Sequence, residues 1–269
     1  MSLPPAYKGY AFDLDGTIYL GDELLPGAAE TIAALRSASA RVVFITNKPL
    51  YSAAEYAQKL TELGIPAEAD DVVTAVDALL SYLSERHEGR RILPVAEPLL
   101  CDELARAGFA LTDDGTEAEV VVVSFDRTFA YPKLLAAFRA VRMNGAVIVA
   151  TNPDAYCPTP DGGLPDCAAM LAAVEASTGV RAEAIVGKPS ATMGAALLAR
   201  LGTPASEVAV IGDRLTTDVV MGQSVGAAGI LVLTGATTAD AAAESAITPD
   251  YVIESLHDLA PTTRRGESN

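Results

Sequence analysis

Short apolar runs, each too brief for a helix and each followed by a helical pattern, constrain the fold of this chain more than any other feature. Gly9 to Leu14 and Arg41 to Ile45 are two such runs, and Val208 to Ile211 is a later one. Helical patterns at 27–39 and about 51–63 follow the first two. Strands and helices that alternate at this interval predict parallel βα units and an α/β fold.

The alternation continues through the rest of the chain. We predict further helices at 77–86, 99–107, 132–142, 166–177, from 190 to about 201, and 217–226, and further strands at 91–95, 120–124, 147–150, 184–186 and 230–233. The stretch 18–26 is predicted to be a loop, as is the Pro- and Gly-rich stretch 152–165. The tail 262–269 lacks apolar residues and is predicted to be frayed.

An acidic pair follows the first strand. Asp13 and Asp15 stand two residues apart, so in an extended chain their side chains point the same way. Open parallel sheets bind ligands at the carboxyl ends of their strands. Two adjacent carboxylates repel each other unless a cation is present, and Mg²⁺ prefers such oxygen ligands. Taken alone, the pair also fits ordinary turn acids with Gly16 opening the turn.

Polar residues end three further apolar runs: Thr46 with Asn47, Lys188 after Gly187, and Asp213 with Asp218. Each has an ordinary explanation, as a helix N-cap, a solvated cation, a turn former or a first-turn helix acid. Together they favour one site, and we predict that all four strand ends meet at the same edge of one sheet.

These residue types support phosphoryl transfer. A carboxylate can act as a nucleophile and form an acyl phosphate, while the remaining catalysis is positioning and charge neutralisation. The Thr46 hydroxyl, the Lys188 ammonium and a metal held by Asp13 and Asp213 would provide that neutralisation. Asp15 is placed to protonate the leaving group and then to activate water.

Charge and composition exclude other classes. The net charge of −16 argues against nucleic acid as a partner, because phosphate backbones are bound by clustered Lys and Arg. No apolar run is long enough to cross a bilayer, and the first residues lack the features of a secretory signal. We therefore predict a cytoplasmic protein that binds neither membrane nor nucleic acid.

The cysteines and histidines carry little functional signal. Cys101, Cys157 and Cys167 form no CxxC pair, and their odd number fits a reducing compartment. We predict that Cys157 and Cys167, which flank the 152–165 loop, are buried thiols. His87 and His257 have no partners at ligand spacing and are predicted to be surface residues.

With these motifs in order, the chain resembles the haloacid dehalogenase (HAD) superfamily. The matching motifs are Asp13-Leu14-Asp15-Gly16-Thr17, Thr46, Lys188, and Gly212-Asp213-Arg214-Leu215-Thr216-Thr217-Asp218. Thr46-Asn47, Ala150-Thr151-Asn152-Pro153-Asp154 and Val186-Gly187-Lys188-Pro189 are more narrowly similar to the NagD and 4-nitrophenylphosphatase subfamily. The resemblance implies a Rossmann-like core, formed by residues 1–78 and 184–269, with a type-two α/β cap domain inserted at 79–183.

The resemblance also implies roles for the motif residues. Asp13 would be the nucleophile and a metal ligand, and Asp15 the general acid/base that also offers its backbone carbonyl to Mg²⁺. Asp213 would be the third protein ligand, and Asp218 would support it or orient Lys188. Thr46, Asn47 and Lys188 would hold the phosphoryl oxygens, and Asp15 and Gly16 would be further substrate-binding positions.

The cap leaves more alternatives open. Asn152 and Asp154 either contact the leaving group or form an Asx turn that organises their own loop. Lys48 either adds an anion contact or points into water. Caps of this kind often pair in relatives, so a homodimer through the cap is a further expectation.

The expected activity is Mg²⁺-dependent hydrolysis of a small phosphorylated metabolite, whose identity the sequence leaves open. A dehalogenase would need only the nucleophile, so Asp15 favours phosphoryl chemistry. A phosphomutase would use both carboxylates. A catalytically idle phosphometabolite-binding regulator would have no need of a nucleophile, so the intact set of Asp13, Asp15, Lys188 and Asp213 weighs against it.

Overall fold

The computed structural model describes residues 3–157 and 163–259. Its strands are β1 (Gly9–Asp13), β2 (Tyr19–Leu20), β3 (Glu23–Leu24), β4 (Arg41–Thr46), β5 (Val72–Thr74), β6 (Ile92–Val95), β7 (Val120–Val123), β8 (Val147–Ala150), β9 (Tyr156–Cys157), β10 (Leu164–Pro165), β11 (Ala184–Ile185), β12 (Val208–Gly212), β13 (Ala228–Val232) and β14 (Tyr251–Ile253). Its α-helices are α1 (Ala28–Ser37), α2 (Ala53–Glu62), α3 (Ala75–Arg86), α4 (Pro98–Arg106), α5 (Tyr131–Asn144), α6 (Cys167–Thr178), α7 (Ala191–Leu201), α8 (Val220–Ser224) and α9 (Ala239–Glu244). The predicted α/β class is confirmed.

The chain divides into two compact units. The first contains 1–46, 53–73 and 197–269, and the second contains 47–52 and 74–196. The predicted domain limits at 78/79 and 183/184 stay predictions. The predicted frayed tail lies outside the described residues. Across the described ranges, no helix combines the length and apolar character needed to cross a bilayer.

A six-stranded sheet forms the centre of the first unit, in the order β14-β13-β12-β1-β4-β5. β1 pairs in parallel with β12 on one side and with β4 on the other, so Phe12 lies opposite both Ile211 and Phe44. Every residue of β1 is buried, because helices cover both faces of such a sheet. The strand order reverses at β1, and this switch point is where open α/β sheets bind ligands.

A four-stranded parallel sheet forms the centre of the second unit, in the order β11-β8-β7-β6. All four valines of β7 are buried. Ala137, Ala140 and Val141 of α5 and Met170 and Val174 of α6 pack with this sheet in one apolar cluster.

The pairing of β11 corrects one prediction. Ala184 lies opposite Val149 and Ile185 opposite Ala150, so the strand that leads to Lys188 belongs to the second sheet. The expectation that all four motif-bearing strand ends share one sheet is therefore wrong for Lys188. It holds for Asp13, Thr46 and Asp213, which end or follow three adjacent strands of the first sheet.

Several helices begin at residues other than the predicted ones, for local reasons. α3 begins at Ala75, ahead of the predicted start, because Thr74 and Asp77 form a capping box in which each side chain accepts the other's backbone N–H. Asp166 caps α6 and lies outside it. The predicted 217–226 helix begins as a π-turn at Leu215–Val219 and continues as α8.

Short elements were missed where the sequence predicted loops. Stretch 18–26 contains the β2–β3 hairpin, and 152–165 contains the antiparallel pair β9–β10. The edge strands β5 and β14 were also missed, since three residues are too few for a recognisable pattern.

The prediction of a surface position is wrong for His87, which is 4% exposed. Its Nε2 lies 2.9 Å from Glu183 Oε1, which also accepts a hydrogen bond from the Tyr82 hydroxyl at 2.8 Å. His257 is exposed, as predicted. Cys157 and Cys167 are buried thiols, as predicted, and none of the three cysteines forms a disulfide.

Candidate active site

Three carboxylates gather at the carboxyl edge of the first sheet. Asp13 ends β1, Asp213 follows β12, and Asp218 lies in the π-turn after it. One oxygen from each lies within 4.8 Å of the others, and all three residues are buried. Three buried carboxylates at this spacing repel one another, and a hard divalent cation removes that repulsion. The oxygen-only donor set therefore fits Mg²⁺.

The loop after β13 holds Asp213. The backbone N–H of Ala236 donates to Asp213 Oδ2 at 2.6 Å, and the N–H of Thr237 donates to the Asp213 carbonyl at 3.1 Å. A Cβ added to Gly235 would come within 2.1 Å of Asp213 Oδ2, and one added to Gly16 within 2.5 Å. This loop was missed by the sequence analysis, although a glycine just past an apolar strand is the signal that could have found it.

Asp218 completes the cluster because its backbone turn folds the side chain back. Its Oδ2 accepts hydrogen bonds from the Arg214 backbone N–H at 3.2 Å and from the Thr217 hydroxyl at 3.3 Å. A Cβ on Gly212 would lie 2.2 Å from the Asp218 carboxyl carbon, so this approach requires glycine at the end of β12. Asp218 thus lies among the candidate metal ligands.

Asp15 lies in different surroundings from Asp13. It is only partly buried, and its carboxylate is outside the three-carboxylate cluster. The turn around it is tight, with the Gly16 N–H donating to the Tyr19 carbonyl at 2.8 Å and the Thr234 hydroxyl donating to the Gly16 carbonyl at 2.8 Å. Gly16 adopts a φ of 85°, which favours glycine. The two carboxylates of the motif therefore have separate environments.

Thr46 ends β4 and is 2% exposed. The register pairs Asp13 with Ile45, so Thr46 is one residue beyond the partner of Asp13. Its position at the carboxyl edge of the first sheet agrees with the sequence prediction.

The second unit contains the other predicted phosphate-binding residues, Asn47 and Lys188. The Lys188 backbone N–H donates to Asn47 Oδ1 at 2.8 Å, and Asn47 Nδ2 donates to the Lys188 carbonyl at 3.1 Å. This reciprocal pair joins positions 141 residues apart in the sequence. Gly187 is needed beside it, because an added Cβ would lie 2.6 Å from Asn47 Oδ1 and 2.4 Å from the Thr151 carbonyl. Lys188 is 3% exposed.

Asn152 and Asp154 form the Asx turn that the sequence analysis considered. The Asp154 N–H donates to Asn152 Oδ1 at 2.9 Å, while Asn152 Nδ2 donates to the Asn47 carbonyl at 3.2 Å. Asp154 Oδ2 accepts from Asn47 Nδ2 at 3.0 Å. The two residues therefore hold Asn47, and a contact with the leaving group stays a prediction.

Asp166 is a polar residue of this unit that the sequence analysis assigned only to a helix start. It is 3% exposed, and burial raises its pKa to about 6, with the charge of Asp154 adding to the rise. Hydrogen bonds from the Cys167 backbone and the Asn152 side chain lower the pKa, as does the charge of Lys48. Lys48 is itself partly buried. An Asp directly before a helical pattern is the signal for an N-cap, but its burial depends on remote contacts.

Two family models match this chain, one in its first half and one near its end. Residues 10–110 match the model described as haloacid dehalogenase-like hydrolase, and residues 185–259 match the model described as HAD-hydrolase-like. The sugar-phosphatase AraL of Bacillus subtilis is 35% identical over 98% of this chain and 96% of its own.

Solved structures agree with this assignment. The 4-nitrophenylphosphatase of Thermotoga maritima superposes with a TM-score of 0.89 at 35% identity, over 94% of this chain and 96% of its own. A glycerol phosphate phosphatase of Mycobacterium tuberculosis, determined in complex with calcium, superposes with a TM-score of 0.86 at 32% identity, over 94% of this chain and 75% of its own. The resemblance seen in the motifs is confirmed, and the chain belongs to the haloacid dehalogenase-like hydrolases, in the subfamily of the NagD and 4-nitrophenylphosphatase proteins.

Proposed function

We propose that the protein is a Mg²⁺-dependent phosphatase that hydrolyses small phosphomonoesters through an aspartyl phosphate on Asp13. The observation that carries the proposal is the position of Asp13, at the end of β1 with an oxygen within 4.8 Å of oxygens of Asp213 and Asp218. Relatives named as sugar, 4-nitrophenyl and glycerol phosphate phosphatases support the substrate class.

Asp13 and Asp15 have different roles in the proposed reaction. An oxygen of Asp13 attacks phosphorus, the bond between phosphorus and the ester oxygen breaks, and Asp15 gives its proton to the departing alkoxide. Asp15 then takes a proton from water, the water oxygen attacks phosphorus, and the bond to Asp13 breaks to release inorganic phosphate. The separate environments of the two side chains suit these different roles.

Asp13, Asp213 and Asp218, together with the backbone carbonyl of Asp15, would hold the Mg²⁺. When bound, the ion neutralises charge on the phosphoryl oxygens. The three carboxylates keep that position anionic, and the N–H of Ala236 fixes the orientation of Asp213.

The motif resemblance assigns Thr46, Asn47 and Lys188 to the phosphoryl oxygens, and Asp15 and Gly16 to substrate binding. The hydroxyl of Thr46 and the ammonium of Lys188 supply hydrogen bonds and positive charge. Because Lys188 and Asp154 engage the side chain of Asn47, we assign its contribution to the backbone N–H. A cytoplasmic location and a homodimer through the cap stay part of the proposal.

The test is phosphate release from a panel of sugar phosphates, glycerol phosphate and 4-nitrophenyl phosphate, with Mg²⁺ and with EDTA. We expect metal-dependent release from the wild type and none from Asp13→Asn. Asp240→Asn, which changes an exposed carboxylate on α9, is the matched control and should retain full activity. An active Asp13→Asn enzyme would exclude the covalent route.

The role of Asp15 is tested by comparing leaving groups. Asp15→Asn should lose most activity on alkyl phosphates but less on 4-nitrophenyl phosphate, whose leaving group needs little protonation. Equal losses on both substrates would contradict the acid role. Transfer of phosphate to a second hydroxyl of the substrate would instead indicate a mutase.

A further inference from the structure

The proposed mechanism does not use Asp166, a buried carboxylate of the second unit. Asp166 accepts a hydrogen bond from the Cys167 backbone N–H at 2.6 Å and thereby caps α6. It also accepts a hydrogen bond from the side chain of Asn152, which is completely buried. Both contacts are available to an ionised carboxylate, which is an acceptor only.

Asn152 connects Asp166 to Asn47. Its amide group donates to the Asn47 carbonyl at 3.2 Å as well as to Asp166, and its side-chain carbonyl accepts the Asp154 N–H at 2.9 Å. The amide of Asn152 therefore has one favourable orientation, because a flip would direct its NH₂ at the Asp154 N–H. Asp154 in turn accepts a hydrogen bond from the side chain of Asn47.

Asn47 connects this network to Lys188. Its side chain binds the backbone of Lys188 at both N–H and carbonyl, at 2.8 Å and 3.1 Å. Four residues from three separate stretches of sequence thus form one continuous path of hydrogen bonds, Asp166–Asn152–Asn47–Lys188. All of them belong to the second unit.

We infer that Asp166 is a positioning residue for Lys188, acting through Asn152 and Asn47, so that the ionised Asp166 strengthens the binding of the phosphoryl group. The inference rests on the proposed function, in which Lys188 contacts the phosphoryl oxygens. A hydrogen bond to an ionised acceptor is about twice as strong as one between neutral groups. Protonation of Asp166 therefore weakens the constraint on Asn152 and, through it, on Lys188.

The surroundings of Asp166 set its pKa between pH 5 and pH 7.5, so the carboxyl changes its charge between these two pH values. Burial and the Asp154 carboxylate raise its pKa, whereas Lys48 and the hydrogen bonds from Asn152 and Cys167 lower it, and the result is about 6. The Cys167 thiol itself has its pKa raised to about 11 by burial, so it stays neutral in this range. Asp166 is then largely ionised at pH 7.5 and largely protonated at pH 5.

The experiment measures the binding of sulfate, in the presence of Mg²⁺, to the wild type and to Asp166→Asn. Sulfate mimics a phosphoryl dianion and keeps both charges across this pH range. We expect Asp166→Asn to bind sulfate about three- to tenfold more weakly at pH 7.5, the loss of one charge-assisted hydrogen bond. At pH 5 the two proteins should bind equally, because Asp166 of the wild type is then protonated.

A matched control separates positioning from general damage to the second unit. Asp126 is another buried carboxylate of this unit, bound to Lys133 at 2.5 Å and outside the path to Lys188. Asp126→Asn should leave sulfate affinity unchanged at both pH values. A sulfate affinity ratio between wild type and Asp166→Asn that is the same at pH 5 and pH 7.5 would overturn the inference, as would a wild type that binds no sulfate.

Turnover provides the second measurement. The ratio of kcat/KM between wild type and Asp166→Asn should change with pH in the same way as the ratio of their sulfate affinities. The ionisation of the substrate affects both proteins equally, so it cancels in the kcat/KM ratio. A wild type that binds sulfate as expected but hydrolyses no phosphomonoester would refute the proposed function and leave the positioning role of Asp166 supported. Normal turnover of phosphomonoesters, with a ratio of kcat/KM between wild type and Asp166→Asn that is the same at pH 5 and pH 7.5, would support the proposed function and refute the positioning role.

Discussion

The burial of Asp166 predicts how the free energy of unfolding changes with pH. Its pKa is raised from 3.8 to about 6 in the folded protein, chiefly by burial. The folded protein therefore binds this proton more tightly than the unfolded chain, and the free energy of unfolding falls as pH rises from about 4 to about 6. One pKa unit corresponds to about 1.4 kcal/mol, so the cost at full ionisation is about 3 kcal/mol.

Asp166→Asn removes this cost and keeps a side-chain acceptor for the Cys167 N–H, since Asn caps helices as well as Asp. Relative to a pH below both pKa values, the cost is about 2 kcal/mol at pH 5, where the unfolded chain is ionised but the folded protein still holds most of the proton, and about 3 kcal/mol at pH 7.5, where both are ionised. The difference in free energy of unfolding between the variant and the wild type should therefore grow by about 1 kcal/mol between these pH values, in favour of the variant.

Urea denaturation followed by circular dichroism, with a reductant present for the three thiols, measures this difference. The titration of the other carboxylates is common to both proteins and cancels. Asp113→Asn, which changes an exposed carboxylate of the same unit, should show a difference within about 0.5 kcal/mol at both pH values. A pH-independent difference for Asp166→Asn would refute the argument that burial raises this pKa.

Three further predictions concern other contacts. Gly235→Ala places a Cβ 2.1 Å from Asp213 Oδ2 and should weaken Mg²⁺ binding, measured by calorimetry, by about tenfold or more; unchanged affinity would contradict the tight approach. Tyr82→Phe removes the hydrogen bond to Glu183 and should lower the free energy of unfolding by about 1 kcal/mol in urea, whereas no change would show that the bond adds nothing. Thr74→Ala removes half of the capping box of α3 and should also lower it by about 1 kcal/mol, with Thr74→Ser as the variant expected to retain stability.

The two groups of predicted site residues differ in how they are held. The carboxylates of the first unit are positioned by backbone N–H groups and by glycines that permit close approach, at Gly16, Gly212 and Gly235. The residues of the second unit are positioned by side-chain amides, because Asn47 and Asn152 each use both ends of the amide group. Substitution of either asparagine therefore disturbs several partners at once.

The sequence by itself determined the α/β class and the carboxyl edge that carries Asp13, Thr46 and Asp213. Each follows a short run of residues that are apolar on both faces, and such runs form the inner strands of a parallel sheet. Parallel strands that are neighbours bring their carboxyl ends together, so the motif order alone predicts this part of the site.

Only the tertiary structure decided the position of Lys188 and the burial of Asp166 and His87. β11 is two residues long, and its apolar pattern fits the edge of either sheet, so its pairing with β8 is settled by packing and not by local sequence. Burial of a polar side chain likewise depends on partners far along the chain, such as Asn152 for Asp166 and Glu183 for His87. Local patterns specify which residues form a strand or a cap, whereas the choice of partner is made by the folded chain as a whole.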